Sequence, residues 1–317
     1  MANADPILTS LHGKRCGITA AGNFVVDGKV IGKENPSGGQ DYYVDGNRSA
    51  AGAGYSWDTA LTTLAAAIAL SDISIALTAN RWWARRNRIF VAADTLTETL
   101  VKFPTKCDVI GVGAYDANAK PGIIGHHVPV GESYSTRFFN IKFNGIAAAA
   151  PLITIGSTSA GMEFHGCDFD GTAGTMTIGI QCTASHSLVV NDCDFYGTFV
   201  TSYITFGTGE AGRARITNNR MLGTAAKGIV AGSGMTTSWP ALIDRNIINA
   251  TGLVIDDDAD LFYISNNQLF SATDPTADST GIADVNQLRC INNKVQITAA
   301  QGTERNFDFP FVVATTS

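Results

Sequence analysis

Two aspartates offer the clearest candidate for chemistry in this chain of 317 residues. Asp168 and Asp194 hold the same place in two copies of a recurring pattern, and Asp170 follows the first. In stacked strands their carboxyl groups would lie about 5 Å apart, the separation that retaining glycosidases use. The same place is held by Lys142 one copy earlier and by Arg220 one copy later. We therefore interpret this column as a solvated ladder of alternating charge and predict no catalytic residue.

Other polar clusters give weaker signals. The acidic run at residues 256–258 with Asp260 could bind a cation, but its position in a shortened copy favours a tight polar turn. The basic and tryptophan-rich residues 81–88 could bind nucleic acid or an acidic glycan. We interpret them as a surface loop, because no second basic patch joins them. The balance of 22 basic to 28 acidic residues also argues against the whole chain as a nucleic-acid binder. The five histidines share no column. We predict neither a metal nor a cofactor.

The recurring pattern appears seven times between residues 134 and 297, at spacings of 21 to 27 residues. Apolar and polar residues alternate within each copy, which is the period of a strand with one buried face. No copy contains a long helical pattern, so the repeat predicts a β-solenoid. One column of the pattern is held by Ile141, Cys167, Cys193, Asn219, Asn246, Asn267 and Asn293.

The asparagines of this column predict a structural ladder. A buried asparagine amide can donate to the copy on one side and accept from the copy on the other. Cys167 and Cys193 would continue the ladder as small apolar residues. The six cysteines form no CxxC pair, which favours reduced thiols over a disulfide framework or a metal site.

Coils of about 26 residues with two or three strands resemble the right-handed parallel β-helix of the pectate-lyase type. The predicted fold is thus all-β, with an extended arm at residues 1–40 and a cap helix with initial strands at 41–103. The parallel β-helix would occupy residues 104–300 and a tail 301–317. We expect Ser56 to cap the helix, and Trp57, Leu61, Leu64 and Ile68 to form its packed face.

Two N-terminal stretches carry a more specific resemblance. Residues 8–15 and 22–27 look like the start of small bacteriophage virion proteins, and residues 42–47 with 56–60 resemble the opening segment of many phage and bacterial β-helix proteins. The chain shows neither a secretory signal nor an apolar stretch long enough for a membrane. These features imply a virion protein that is assembled in the host cytoplasm, with no membrane or nucleic-acid partner.

The resemblance leaves three functions open. The first is a capsid decoration or stabilising protein, a homotrimer bound to the major capsid protein or another virion protein. The second is a tailspike or receptor-binding protein that binds or cleaves host surface polysaccharide, and the third a free polysaccharide lyase or hydrolase. We favour the first. Attachment and oligomerisation are assigned to the apolar and basic residues of the arm and to the alternating rings of the tail: Leu8, Leu11, Arg15, Phe307, Phe309 and Phe311.

Overall fold

The computed structural model describes residues 16–18, 24–26, 29–30, 39–76, 85–113, 120–156, 159–183, 187–207, 214–231, 241–257, 262–271, 282–283, 290–297 and 304–307. Over these ranges the chain forms one α-helix, one short 3-10 helix and twenty-eight strands. Leu8, Leu11, Arg15, Phe309 and Phe311 lie outside the described residues.

The strands follow one another in short segments. In chain order they are β1 (Cys16–Ile18), β2 (Phe24–Val26), β3 (Lys29–Val30), β4 (Asp41–Val44), β5 (Asn87–Ala92), β6 (Thr95–Thr97), β7 (Cys107–Val112), β8 (Gly122–Ile124), β9 (Ser133–Phe139), β10 (Lys142–Asn144), β11 (Ile153–Ile155), β12 (Ser159–His165), β13 (Asp168–Gly171) and β14 (Ile178–Cys182). They continue with β15 (Leu188–Asn191), β16 (Asp194–Phe206), β17 (Arg215–Thr217), β18 (Arg220–Met221), β19 (Thr224–Ala231), β20 (Ala241–Asp244), β21 (Ile247–Ala250), β22 (Ile255–Asp257), β23 (Phe262–Ser265), β24 (Gln268–Ser271), β25 (Ile282–Ala283), β26 (Cys290–Ile291), β27 (Asn293–Ile297) and β28 (Glu304–Phe307).

The predicted parallel β-solenoid is confirmed. Strands of successive coils pair in parallel, about 26 residues apart in sequence. The first sheet runs from β4 through β5, β7, β9, β12, β15, β17, β20 and β23 to β26. The second runs from β6 through β8, β10, β13, β16, β18, β21 and β24 to β27, and a third row of β11, β14, β19, β22 and β25 joins it through the long strand β16.

A left-handed backbone residue makes the bend between the first and second sheets in the seven coils from β9 to β27. Only glycine, and to a lesser degree asparagine and aspartate, adopts this conformation readily. The bend residues are Asn140 (φ 53°), Gly166 (φ 58°), Asp192 (φ 57°), Asn218 (φ 58°), Arg245 (φ 56°), Asn266 (φ 56°) and Asn292 (φ 54°). The next residue in every coil belongs to the column that contains the asparagines, so the bend points that column inward.

Stacked side chains fill the interior of the solenoid. Phe143, Phe169 and Phe195 pair in register on β10, β13 and β16, with ring centroids 5.6 and 4.4 Å apart. Offset ring stacks of this kind add to the apolar burial of each coil. The alternation of these rings with charged neighbours puts residues such as Asp168 on the outer face.

The single described α-helix, α1 (Leu64–Ala76), packs on the first coil. The hydroxyl group of Tyr42 donates to the Leu70 carbonyl at 3.1 Å, and the Asn87 amide donates to the Ser71 carbonyl at 3.0 Å. The predicted cap at Ser56 is wrong: Ser56 precedes a 3-10 helix (Trp57–Thr59) and makes no side-chain cap bond. Trp57 is 40% exposed, so it does not belong to the packed face, whereas Leu61, Leu64 and Ile68 are buried as predicted.

The helix is capped from two parts of the chain. The Glu98 carboxylate accepts the backbone N–H groups of Leu64 at 2.7 Å and Ala65 at 2.9 Å. Thr63, directly before the helix, accepts the Ala66 N–H with Oγ1 at 3.3 Å. These N–H groups have no partner within a helix, and a carboxylate also favours the positive end of the helix dipole. A residue on the solenoid therefore supports the start of α1 together with a local threonine.

Both ends of the chain depart from the parallel arrangement. Strands β1, β2 and β3 form an antiparallel sheet of their own. Strand β28 pairs antiparallel with β27, with Phe307 opposite Asn293. No helix in the described part of the chain is long and apolar enough to cross a membrane.

Candidate functional site

The column that contains Asp168 and Asp194 lies in register, as the recurring pattern predicts. Lys142, Asp168, Asp194 and Arg220 are paired neighbours on β10, β13, β16 and β18. The interpretation as a solvated ladder is wrong for Asp168, whose side chain is only 1% exposed. Its charge is balanced by Lys120, a residue outside the repeat, which covers it. Only Asp194 and Arg220, 3.7 Å apart, form the exposed pair that the pattern predicted.

Lys120 and Asp168 make the most buried ion pair among the described residues. Nζ of Lys120 lies 2.5 Å from Oδ1 of Asp168 and donates to the Gly166 carbonyl at 2.9 Å. The Lys120 side chain is 4% exposed. Burial raises the pKa of Asp168, and Lys120 opposes this shift. Oδ2 of Asp168 is buried and has no hydrogen-bond partner.

A second lysine and a tyrosine lie beside this pair. Nζ of Lys142 is 3.1 Å from Oδ2 of Asp170 and 5.3 Å from the centre of the Tyr196 ring. Burial raises the pKa of Tyr196 to about 12. Both faces of β13 are buried here. The outer surface of β10, β13 and β16 thus holds a compact cluster of two lysines, two aspartates and a tyrosine.

The asparagine column forms a continuous hydrogen-bonded ladder. Nδ2 of Asn219 donates to Oδ1 of Asn246 at 2.9 Å, and Nδ2 of Asn267 donates to Oδ1 of Asn293 at 2.9 Å. Each Nδ2 also donates to a strand carbonyl, as Asn246 does to Ile216 at 2.8 Å. Each Oδ1 also accepts the backbone N–H of the ladder residue in the preceding coil, as Asn267 does from Asn246 at 2.8 Å. Every amide group in the stack is therefore satisfied away from water.

The two cysteines continue this stack with weaker bonds. The N–H of Cys193 donates to Oδ1 of Asn219 at 2.9 Å, and the N–H of Cys167 donates to Sγ of Cys193 at 3.4 Å. Burial raises the pKa of the Cys193 thiol well above its usual value. Four cysteines with described side chains are buried and form no disulfide, namely Cys107, Cys167, Cys182 and Cys193. A buried neutral thiol is a poor nucleophile.

Charges alternate along the outer face of the first sheet. Arg88 donates to both carboxylate oxygens of Asp41 at 2.8 and 2.7 Å, and Arg137 donates to both oxygens of Asp108 at 2.7 and 2.7 Å. The two-point pairs of Arg88 and Arg137 hold neighbouring coils together. His165 lies 2.9 Å from Glu163 within the same strand, β12.

Aromatic rings form a second column beside these charges. Tyr43 stacks on Phe90 with centroids 5.4 Å apart, and Phe139 stacks on His165 at 5.0 Å. Trp57 meets Tyr43 edge-on at 5.0 Å. Because each stacked ring faces its neighbour along the solenoid, at least one face of the ring is unavailable to a sugar.

The remaining sequence candidates fall in different places. Asp256 forms an ion pair with Lys227, whereas residues 258–260 lie outside the described ranges. Residues 81–84 of the basic cluster also lie outside them, and Arg86 pairs with Asp108 at 2.8 Å. In the ranges that the structure describes, no group of three or more His, Cys, Asp or Glu residues could hold a metal ion.

His127 is buried in the interior, and its neighbour His126 is partly exposed. The Leu100 N–H donates to Nδ1 of His127 at 3.1 Å, which leaves the ring proton on Nε2. Burial, followed by the charge of His126, lowers the pKa of His127 to about 4. The ring is therefore neutral at physiological pH and serves as a hydrogen-bond acceptor for the backbone.

Three features were missed by sequence reasoning. Lys120 and Glu98 act on residues that are distant in sequence, and neither belongs to the recurring pattern. The bend column did carry a signal: asparagine, aspartate or glycine precedes the ladder position in every coil except that of Arg245.

Comparison with models of known protein families, with curated proteins and with solved structures finds no match to this chain.

Proposed function

We propose that this chain is a structural protein of a bacteriophage particle. In this proposal it is a capsid decoration protein that stabilises the particle surface, as a homotrimer bound to the major capsid protein or another virion protein. Support comes from the resemblance of residues 8–15 and 22–27 to small phage virion proteins and of residues 42–47 with 56–60 to phage and bacterial β-helix proteins. The parallel β-solenoid agrees with this proposal.

One observation carries the structural role. Three pairs of charged groups on the outer faces join neighbouring coils of the same chain, namely Arg88–Asp41, Arg137–Asp108 and Lys142–Asp170. A glycosidase needs two carboxyl groups that are available to the sugar. Here Asp168 is covered by Lys120, and Asp194 lies beside Arg220. The charges thus favour cohesion between coils over binding of a substrate.

The copy number in the particle tests this proposal. Particles are purified, and the chain is quantified against the major capsid protein by gel densitometry. A decoration protein should be present in many copies over the head. A few copies confined to the tail would reject decoration and favour the receptor-binding alternative.

Incubation with host polysaccharide provides the second test. Purified protein is mixed with host capsular polysaccharide or lipopolysaccharide, and reducing ends and unsaturated sugars are measured. We expect no release above a protein-free control. Release that is abolished in Asp194→Asn would show an enzyme and overturn the structural proposal.

Truncation tests the proposed contacts. The arm and the tail are the proposed sites of attachment and oligomerisation. Deletion of residues 1–38 should leave a folded solenoid by circular dichroism that no longer joins particles. Light scattering should show a trimer for the full chain, and loss of the trimer for a chain that ends at Thr303. A monomeric full chain would contradict the homotrimer.

A further inference from the structure

Lys120 and Asp168 bring two groups of complementary reactivity into contact in a buried place. Nζ of Lys120 lies 2.5 Å from Oδ1 of Asp168. The two side chains are 4% and 1% exposed. An amine held in contact with a carboxyl group has a greatly raised effective concentration at the carboxyl carbon.

The surroundings favour the neutral form of Asp168. Taking an ion pair out of water costs free energy that its mutual attraction repays only in part. Burial is the main cause of the raised pKa of Asp168, and the negative charge of Asp194 on the next coil adds to it. Oδ2 of Asp168 has no hydrogen-bond partner, so it can take up a proton without losing a bond.

We propose that Lys120 and Asp168 become joined by an amide bond between Nζ and Cγ. The Lys120 ammonium first passes a proton to the Asp168 carboxylate, which makes both groups neutral. The Nζ lone pair then attacks Cγ, the C–O bond to the protonated oxygen breaks, and that oxygen leaves as water with a second proton from Nζ. One ammonium and one carboxylate give one amide and one water, with no other reactant.

The product fits the hydrogen bonds that are already present. Nζ of Lys120 donates to the Gly166 carbonyl at 2.9 Å, and the single N–H of the amide can keep this bond. Two buried charges are replaced by one neutral group. The desolvation cost of the ion pair is thereby removed.

The bond would tie coils together through covalent chemistry. Lys120 precedes β8, and Asp168 begins β13, with β10 paired between them. The two residues are 48 positions apart in sequence. A cross-link over such a span restricts the unfolded chain and resists separation of the coils it joins. This inference is independent of the proposed location in a particle.

Mass spectrometry of the full chain tests the proposal. The folded protein is treated with reductant, and its intact mass is compared with the mass of its sequence, allowing for the initiating methionine. We expect a deficit of one water molecule. Trypsin should then yield peptide 107–137 joined to peptide 143–213, because Pro121 blocks cleavage after Lys120. A folded chain with the full mass, or these peptides recovered only unjoined, would overturn the proposal.

Two lysine variants separate the amide from other losses of water. Lys120→Arg keeps a positive charge, and its intact mass should equal the mass of its sequence. Lys142→Arg is the matched control, since Lys142 pairs with Asp170 in the same cluster but is more exposed, and it should keep the deficit. A deficit that persists in Lys120→Arg would identify a cyclised aspartate and overturn the proposal. If Lys120→Arg does not fold, the joined peptide pair of the wild type decides alone.

Discussion

The side-chain nitrogen of Asn246 lies 3.0 Å from Oδ1 of Asn267, although only 21 residues separate them. Neighbouring steps of the ladder span 27 and 26 residues with nearly the same distance. The hydrogen bond between stacked side-chain amides is therefore preserved when the length of the coil changes. The ladder position, rather than the coil length, keeps the strands in register.

Replacement of Asn267 by leucine should destabilise the solenoid. The variant would leave both nitrogens of Asn246, the Ile243 carbonyl and Oδ1 of Asn293 short of a partner. Each buried group left unpaired costs about 1–3 kcal/mol, so we expect a loss on the order of 3 kcal/mol in the free energy of unfolding. Denaturant unfolding measures it. Gln268→Leu, on the exposed face of the same region, is the control and should change stability little. Equal stability of the two variants would contradict the role of the ladder.

Replacement of Arg245 by asparagine should stabilise the protein. Arg245 holds the left-handed bend with φ 56°, where neighbouring coils have Asn218 and Asn266. A residue other than glycine, asparagine or aspartate costs about 1 kcal/mol in this conformation. Arg245→Gln removes the same ion pair, in which Arg245 is exposed and Asp244 is buried, but keeps the unfavourable backbone. We expect Arg245→Asn to unfold at higher denaturant than Arg245→Gln, and the reverse order would refute the argument.

His127 should make stability depend on pH. Its folded pKa of about 4 lies below the usual value of 6.5. A depressed folded pKa gives stability that is present above pH 6.5 and is lost as pH falls towards 4. The linkage relation gives a loss of about 2 kcal/mol by pH 5. Unfolding at pH 7 and pH 5 should show that His127→Asn, which can still accept the Leu100 N–H, has a weaker pH dependence. His126→Gln is the control and should retain most of it. A pH dependence that is unchanged in His127→Asn would exclude His127 as its source.

Glu98 should control the start of α1. Glu98→Ala removes the acceptor of the Leu64 and Ala65 N–H groups and should cost about 1–2 kcal/mol. Hydrogen exchange should become faster at these two amides before it changes elsewhere in the helix. Glu132→Ala, at an exposed glutamate, should change neither quantity. Unaltered exchange in Glu98→Ala would mean that the helix start has another support.

The sequence was sufficient for the repeat and insufficient for the contacts between distant segments. The parallel strands could be predicted from the alternation of apolar and polar residues around Phe169 and from the repeated ladder position of Asn219 and Asn246. Both signals recur because each coil stacks on a coil of similar sequence. The burial of Asp168 by Lys120 could not be predicted, since Lys120 lies outside the repeat. Its contact with Asp168 depends on the path of the folded chain between the two residues. The start of α1 was misplaced for the same reason: local signals near Ser56 compete with a carboxylate supplied by Glu98.

The variable coil length has a practical consequence for engineering. Residues 232–240 connect β19 to β20, whereas the shorter stretch 258–261 connects β22 to β23, and the parallel pairing of β20 with β23 is unaffected. The difference in length between the two connections thus leaves the strand pairing unchanged. We expect that a foreign peptide inserted between Asp257 and Phe262 would likewise preserve the register of β20 and β23. This connection is therefore a rational insertion site for an antigen or an affinity tag.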